Sequence, residues 1–242
     1  MPLKKLVFFA IFFLLIQVVY AQEKTDRIIR FGLRAAPSLA WLKPESPTVL
    51  SKGLSPRFLY GVVFDYRFAD YFWFGTGADI TYLGGAFSYK SPSEINHKAF
   101  PDLDAGYSVI TESKYFAQFL ELPLTVKMKT NEINYMVYYA QVGLNPGIRL
   151  DAKALHAING PKQSKVKSIS DINPLRLAIN ISGGVEYNLT QTTSLLVGVT
   201  YNNGFTNLFK KTSPYVRNSN TLKSTELILR SNYIALNVGF LF

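Results

Sequence analysis

Apolar and polar residues take turns along most of this chain with a period of two. From Leu175 to Tyr187, one face carries Leu175, Leu177, Ile179, Ile181, Val185 and Tyr187. The other carries Arg176, Ala178, Asn180, Ser182, Gly184 and Glu186. Successive strand side chains point to opposite faces, so this segment predicts a strand with one greasy and one polar side. A helix would spread the same apolar groups all round its axis.

Seven more segments repeat the pattern. Ile29 to Trp41 sets Phe31, Leu33, Ala35 and Leu39 against Arg30, Gly32, Arg34 and Ser38. Phe58 to Phe68 sets Phe58, Tyr60, Val62, Phe64, Tyr66 and Phe68 against Gly61, Asp65 and Arg67. Tyr71 to about Ser88 opposes Phe72, Phe74, Ala78, Ile80 and Tyr82 to Gly75, Gly77, Asp79 and Thr81. In Tyr115 to Lys129, Leu120, Leu122, Leu124, Val126 and Met128 oppose Glu121, Thr125 and Lys127. Tyr135 to Leu150 opposes Tyr138, Val142, Leu144 and Ile148 to Gln141, Asn145 and Arg149. Ser194 to Asn203 opposes Leu195, Val197, Val199 and Tyr201 to Gly198, Thr200 and Asn202. Asn232 to Phe242 closes the series, with Ile234, Leu236, Val238, Phe240 and Phe242 against Tyr233, Asn237 and Gly239.

Strands of about nine or more residues are long enough to cross a bilayer at a tilt. The connections also alternate in length. Ala69-Asp70, Thr130 to Asn134 and Asn188 to Thr193 are short; Leu42 to Arg57, Tyr89 to Lys114, Asp151 to Asn173 and Gly204 to Arg230 are long. The predicted fold is therefore all-β: an eight-stranded antiparallel transmembrane β-barrel with short periplasmic turns and long extracellular loops. Closure follows from the solvent, because an open sheet edge cannot satisfy its backbone in hydrocarbon. Aromatics on the apolar face gather near strand ends, as girdles at the two headgroup levels should. Phe31, Phe64, Tyr66, Phe72, Tyr187, Phe240 and Phe242 fall toward the periplasmic rim, and Trp41, Phe58, Tyr60, Tyr82 and Tyr201 toward the outer one.

The first twenty-one residues read as an export signal. Lys4 and Lys5 precede an apolar run from Leu6 to Ile16, and Val19-Tyr20-Ala21 offers a cleavage site before Gln22. The run is short for a membrane anchor of about 20 residues. The domain reading is a signal peptide over 1–21 and a barrel over 22–242, placed in the bacterial outer membrane after export. Cleavage at residue 21 takes Lys4 and Lys5 with it and lowers the net charge from +10 to +8. An exported chain does not meet nucleic acid, so the basic excess points to anionic lipid headgroups instead.

Composition removes several chemistries. The 242 residues contain no Cys and only two His, His97 and His156, which excludes thiolate metal sites, disulfides and cysteine nucleophiles. No cofactor is expected. Ser91, Ser93, Glu94 and His97 could be cast as a loop-borne lipid hydrolase, but nothing in their spacing fixes such a site. The S-x-x-K match from Ser164 to Lys167 sits in a Lys-rich stretch with no supporting context.

The block Phe119-Leu120-Glu121-Leu122-Pro123-Leu124-Thr125-Val126-Lys127-Met128-Lys129-Thr130-Asn131-Glu132-Ile133 resembles the middle strand of the PorT-like barrel family of Bacteroidota. So does Gln141-Val142-Gly143-Leu144-Asn145-Pro146-Gly147, and the resemblance runs through the mature chain to Phe242. It implies an eight-stranded, non-enzymatic barrel and, in the best-known branch, an accessory or assembly part in type IX protein secretion. It also implies that the last strand, with Ile234, Leu236, Val238, Phe240 and Phe242, is read by the barrel-assembly machinery. The alternatives are a small channel or adhesin barrel, or a lipid-modifying enzyme borne on the loops.

Two groups of residues are candidate sites. The polar face places Arg34, Asp65, Asp79, Glu121, Lys127, Arg149, Arg176 and Glu186 inside a barrel whose interior is only wide enough for side chains. Buried charges must find opposite partners, so these residues predict a salt-bridge network that plugs the lumen. The same residues would also serve an ion or proton path. Outside, Lys162, Lys165, Lys167, Lys210, Lys211, Arg217 and Lys223 form a basic loop patch. It suits lipopolysaccharide phosphates or an acidic partner, such as a secretion-system protein, and equally suits plain solvation.

Overall fold

The computed structural model describes residues 28–45, 49–90, 110–158, 166–167, 171–210 and 228–242. Eleven strands follow in order: β1 (Ile29–Pro44), β2 (Val49–Ser51), β3 (Ser55–Arg67), β4 (Phe72–Lys90), β5 (Ile110–Glu121), β6 (Leu124–Lys129), β7 (Met136–Ile158), β8 (Val166–Lys167), β9 (Leu175–Asn188), β10 (Ser194–Gly204) and β11 (Leu229–Leu241). All neighbours are antiparallel, and β11 returns to pair with β1, so the sheet closes on itself. β5 and β6 are two parts of one wall strand, and β2 and β8 are short outer additions. Eight walls therefore form the cylinder: β1, β3, β4, β5–β6, β7, β9, β10 and β11.

The burial pattern is that of a soluble protein turned inside out. Leu33, Val62, Val126, Val142, Ile181, Val199 and Leu236 are exposed, whereas Asp65, Asp79, Glu121, Lys127, Asn145, Asn180 and Glu186 are buried. An aqueous surface of this kind would be an aggregate; in hydrocarbon it is the stable arrangement. From Phe58 to Phe68 the chain advances ten residues. At about 3.3 Å per residue and a tilt of about 40°, this spans roughly 25 Å, the height of a bilayer's apolar band. Rings pair at both ends of that band. Phe31 meets Phe64 edge-on at 5.0 Å near the periplasmic rim, and Trp41 stacks on Tyr201 at 6.4 Å near the outer one.

Local chemistry explains the departures from simple alternation. Pro123 has no N–H to give the ladder, so pairing lapses between β5 and β6 while the in–out alternation continues through it. The Leu122 N–H still donates to the Pro146 carbonyl at 2.9 Å. Tyr135, expected as the start of a strand, lies instead in a two-residue turn with Asn134. Both have positive φ, 51° and 66°, and Ile133 and Met136 exchange backbone hydrogen bonds across them. That is a type I′ hairpin, whose twist matches the strands it joins. On β7, a register shift opposite Gln118 and Phe119 leaves Leu150 as a bulge.

The long connections are shorter than the sequence pattern suggests, because the strands continue beyond the membrane. β1 runs on to Pro44, β3 begins at Ser55, β5 at Ile110, and β7 continues to Ile158. His156 thus lies within β7, paired with Ser113, and not in a loop; His97 lies outside the described residues. At the outer edge of the membrane band and above it, the inward positions turn apolar. Leu42, Leu59, Leu83, Phe87, Tyr115, Phe119 and Leu229 form one buried core with Ile172 and Phe209, which fold in from two outer connections and bridge each other.

Candidate functional site

The lumen is filled in layers, each built by inward positions of several strands. The lowest charged layer gathers Arg30 of β1, Asp65 of β3, Lys127 and Lys129 of β6, and Glu186 of β9. Lys127 donates to Asp65 at 2.6 Å, and Lys129 lies 2.9 Å from Glu186 and 3.4 Å from Asp65. Arg30 closes the ring, with Nη1 on Glu186 at 2.6 Å and Nη2 on the Ser194 hydroxyl at 2.6 Å. Aromatic faces back the two lysines: Lys129 sits 4.2 Å over Trp73, and Lys127 5.1 Å over Tyr139. Trp73, Lys127, Lys129, Asp65 and Glu186 are all buried.

Higher up, Arg34 makes a two-pronged contact with Asp79. A fork of this kind uses the planar guanidinium fully and fixes both side chains. Above it, Arg176 of β9 donates from Nη1 to Glu121 at 2.6 Å, from Nη2 to Asn202 at 2.6 Å, and from Nε to Ser231 at 2.9 Å. Glu121 also accepts from Thr81 at 3.2 Å, Asn145 at 3.3 Å and Tyr233 at 3.3 Å. One buried carboxylate therefore ties four other walls of the barrel together.

Glycines make this crowding possible. A β-carbon on Gly75 would lie 2.6 Å from the Thr125 hydroxyl and 3.2 Å from Asp65, and one on Gly147 would lie 3.1 Å from the Glu121 side chain. Gly75 thus makes room for Asp65 and Thr125. A lumen void beside Arg34, Asp65, Lys127 and Tyr139 measures about 20 Å³, space for about one water. Above these polar layers, Phe209 meets Tyr115 edge-on at 4.7 Å and Phe87 at 5.9 Å, and Phe87 stacks on Tyr115 at 5.8 Å.

Of the predicted lumen residues, the structure brings Arg34 to Asp79, Arg176 to Glu121, and Asp65 and Glu186 into one cluster through Lys127 and Lys129. Arg149 departs from the prediction. Its Nη1 donates to the Ile172 carbonyl, anchoring the inserted outer connection and not a carboxylate. The reason is height: Arg149 lies beside the bulge on β7, above the charged layers. Arg30 and Lys129 were missed as network members. Their signal was available, since Arg30 shares a strand face with Arg34, and Lys129 with Lys127.

The predicted basic patch lies mostly out of view: Lys162, Lys165, Lys211, Arg217 and Lys223 are outside the described residues, as are Ser91, Ser93, Glu94 and Ser164. Lys167 is not in a loop; it belongs to β8 and pairs with Lys153 of β7. Lys210 is exposed, and its N–H donates to the Asp171 carbonyl at 2.9 Å. Among the described residues no cluster of His, Asp and Glu has the makings of a metal site. The residues 1–21 read as a signal also lie outside the described set.

A closed antiparallel cylinder with an apolar exterior and a packed, charged lumen defines an integral outer-membrane barrel. Residues 20–210 match the family model for the outer membrane protein beta-barrel domain; the chain belongs to that family, and its place is the outer membrane. No curated protein matches it. Among solved structures it is similar to Neisserial surface protein A, at 14% identity over 86% of this chain and 95% of that one, with a TM-score of 0.42. It is also similar to OprG from Pseudomonas aeruginosa, at 10% identity over 91% and 99%, TM-score 0.43. A third likeness is to Ail, the attachment invasion locus protein of Yersinia pestis, at 9% identity over 88% and 98%, TM-score 0.34.

Proposed function

We propose that this barrel is a non-enzymatic structural or interaction protein whose working surfaces lie on its outside and its rims, not in its lumen. Its place in the cell is as an accessory or assembly component of type IX secretion, the role implied by the PorT-like resemblance of the Phe119-to-Ile133 block. What supports working surfaces outside the lumen is the double seal: ion-paired layers from Arg30 to Glu121, then the aromatic cap of Phe87, Tyr115 and Phe209. A solute path would have to break both. The partners in this reading are outer-membrane lipid and lipopolysaccharide around the wall, the barrel-assembly machinery at β11, and secretion-system proteins at the rims.

The test is deletion of the gene followed by analysis of the secreted proteins. Cargo carrying the type IX signal should be retained inside the cell; normal export removes the secretion role. Planar-bilayer recording of the purified barrel addresses the channel alternative, and large, stable conductance steps would overturn the sealed lumen. A His97→Ala strain with unaltered lipid A is expected, and altered lipid A would favour the enzyme alternative.

A further inference from the structure

The barrel wall is split at the outer end of β3. Pairing between β3 and β4 stops at Leu59 and Thr81, although β3 continues to Ser55 against β1 and β4 to Lys90 against β5. β4 leaves its neighbour because it bends toward β1, where a β-carbon on Gly85 would lie 3.2 Å from both the backbone nitrogen and the Cγ of Leu42. Beside the split is a cavity of about 440 Å³, whose walls include Phe58, Tyr82, Phe116 and Lys153. These four side chains stand on the lipid-facing positions of their strands, so the cavity opens sideways toward the membrane.

Arg57 reaches across this notch from β3 to β5. Its guanidinium carbon is 4.5 Å from the centre of the Phe116 ring, and Nη2 is 3.4 Å from the Tyr115 carbonyl. The residues of β4 at that level, paired with Tyr115 and Phe116, are Gly85 and Gly84, so no side chain bars the crossing. Lys114 shares the same ring at 5.6 Å. Lys153 is neutralised by Asp151 at 3.0 Å. Arg57 and Lys114 have no carboxylate partner among the described residues, and Arg57 Nε is buried without an acceptor. A stacked guanidinium with no carboxylate partner and a second cation nearby is the chemistry that grips a phosphate.

Position selects the source of that phosphate. Arg57 is one residue beyond Phe58, at the outer edge of the apolar band, where headgroups begin. Phe58, Tyr82 and Leu83 give the same cavity an apolar floor. We infer that the notch between β3 and β4 binds an outer-leaflet lipid through its phosphate, with Arg57 and Lys114 on the headgroup and the apolar floor along an acyl chain. This site is separate from the loop lysines and does not depend on the secretion role.

The test uses the folded full-length mature barrel, stripped of lipid in detergent and titrated with monophosphorylated or fully dephosphorylated lipid A under native mass spectrometry. The phosphorylated lipid should bind wild type about tenfold tighter or better, because each charge-assisted hydrogen bond exceeds the ~1.4 kcal/mol that a factor of ten represents. Arg57→Gln with Lys114→Gln should abolish the preference, while Lys210→Gln should leave it intact. If the double variant does not fold, Arg57→Lys, which keeps charge but loses the flat stack on Phe116, should weaken it in a folded barrel. The inference is overturned by equal affinity for both lipids, by an unchanged preference in the folded Arg57 variants, or by equal loss in Lys210→Gln. Full displacement by millimolar inorganic phosphate also overturns it, since a free-anion site needs no lipid.

Discussion

Replacing Glu121 by alanine probes how much the lumen network holds the barrel together. Glu121 is wholly buried and accepts hydrogen bonds from Arg176, Thr81, Asn145 and Tyr233. Its removal strands the buried Arg176 guanidinium with only neutral partners at Asn202 and Ser231. Breaking one side of a buried pair costs about 3–5 kcal/mol, largely the penalty of the orphaned charge. With guanidinium slopes of roughly 2–6 kcal/mol/M for small proteins, the unfolding midpoint should fall by about 0.5–2.5 M. The assay is reversible unfolding from phospholipid vesicles followed by tryptophan emission, which reports only Trp41 and Trp73. The orphaned charge also predicts non-additivity: Glu121→Leu with Arg176→Met should cost about 2 kcal/mol less than the two single changes summed. A Glu121→Ala cost below about 1 kcal/mol, or strict additivity of the pair, would refute the claim that opposite charges hold these walls in place.

Other perturbations test other parts of the wall and cap. Phe209→Ala empties the ring contacts with Tyr115 and Phe87 and should cost about 3–5 kcal/mol by the same unfolding assay, with the membrane-embedded walls still paired by hydrogen exchange. Tyr135→Gly relieves a side chain held at φ 66° and should raise stability by about 0.5–1 kcal/mol, whereas Asn134→Val should lower it. Deleting Phe242, whose N–H and carbonyl both bond Phe31, should reduce the heat-modifiable, folded fraction in the outer membrane; an unchanged yield would remove Phe242 from assembly.

The lipid-facing half of the molecule was plain in the sequence because hydrocarbon tolerates nothing else. Every outward position from Leu175 to Tyr187 is apolar or small, and the phase of β9 follows directly. The lower lumen was legible for a related reason: a charge on the inward face, such as Asp65 or Glu186, cannot be lipid-facing. The upper lumen was not. At Ala40, Leu59 and Leu83 the residues on both faces of the strand are apolar or small, so alternation no longer distinguishes wall from core. The inserted Ile172 and Phe209 were hidden too, since an apolar residue in a polar connection has no period. Pairing also escaped the sequence. Nothing in the order of residues says that β4 abandons β3 at Thr81 to lean on β1, and the Arg57 notch exists only because it does.

The absence of cysteine permits a clean scan of the wall. Single cysteines placed in turn from Leu177 to Tyr187 on β9, spin-labelled and reconstituted in vesicles, would report accessibility to oxygen in the bilayer and to a water-soluble nickel reagent. Oxygen accessibility should rise at 177, 179, 181, 183, 185 and 187 and fall at each position between them, with the nickel reagent reaching none of the central outward sites. A flat profile, a period near 3.6, or the opposite phase would mean that lipid does not bathe this face, and the closed barrel described above would be wrong.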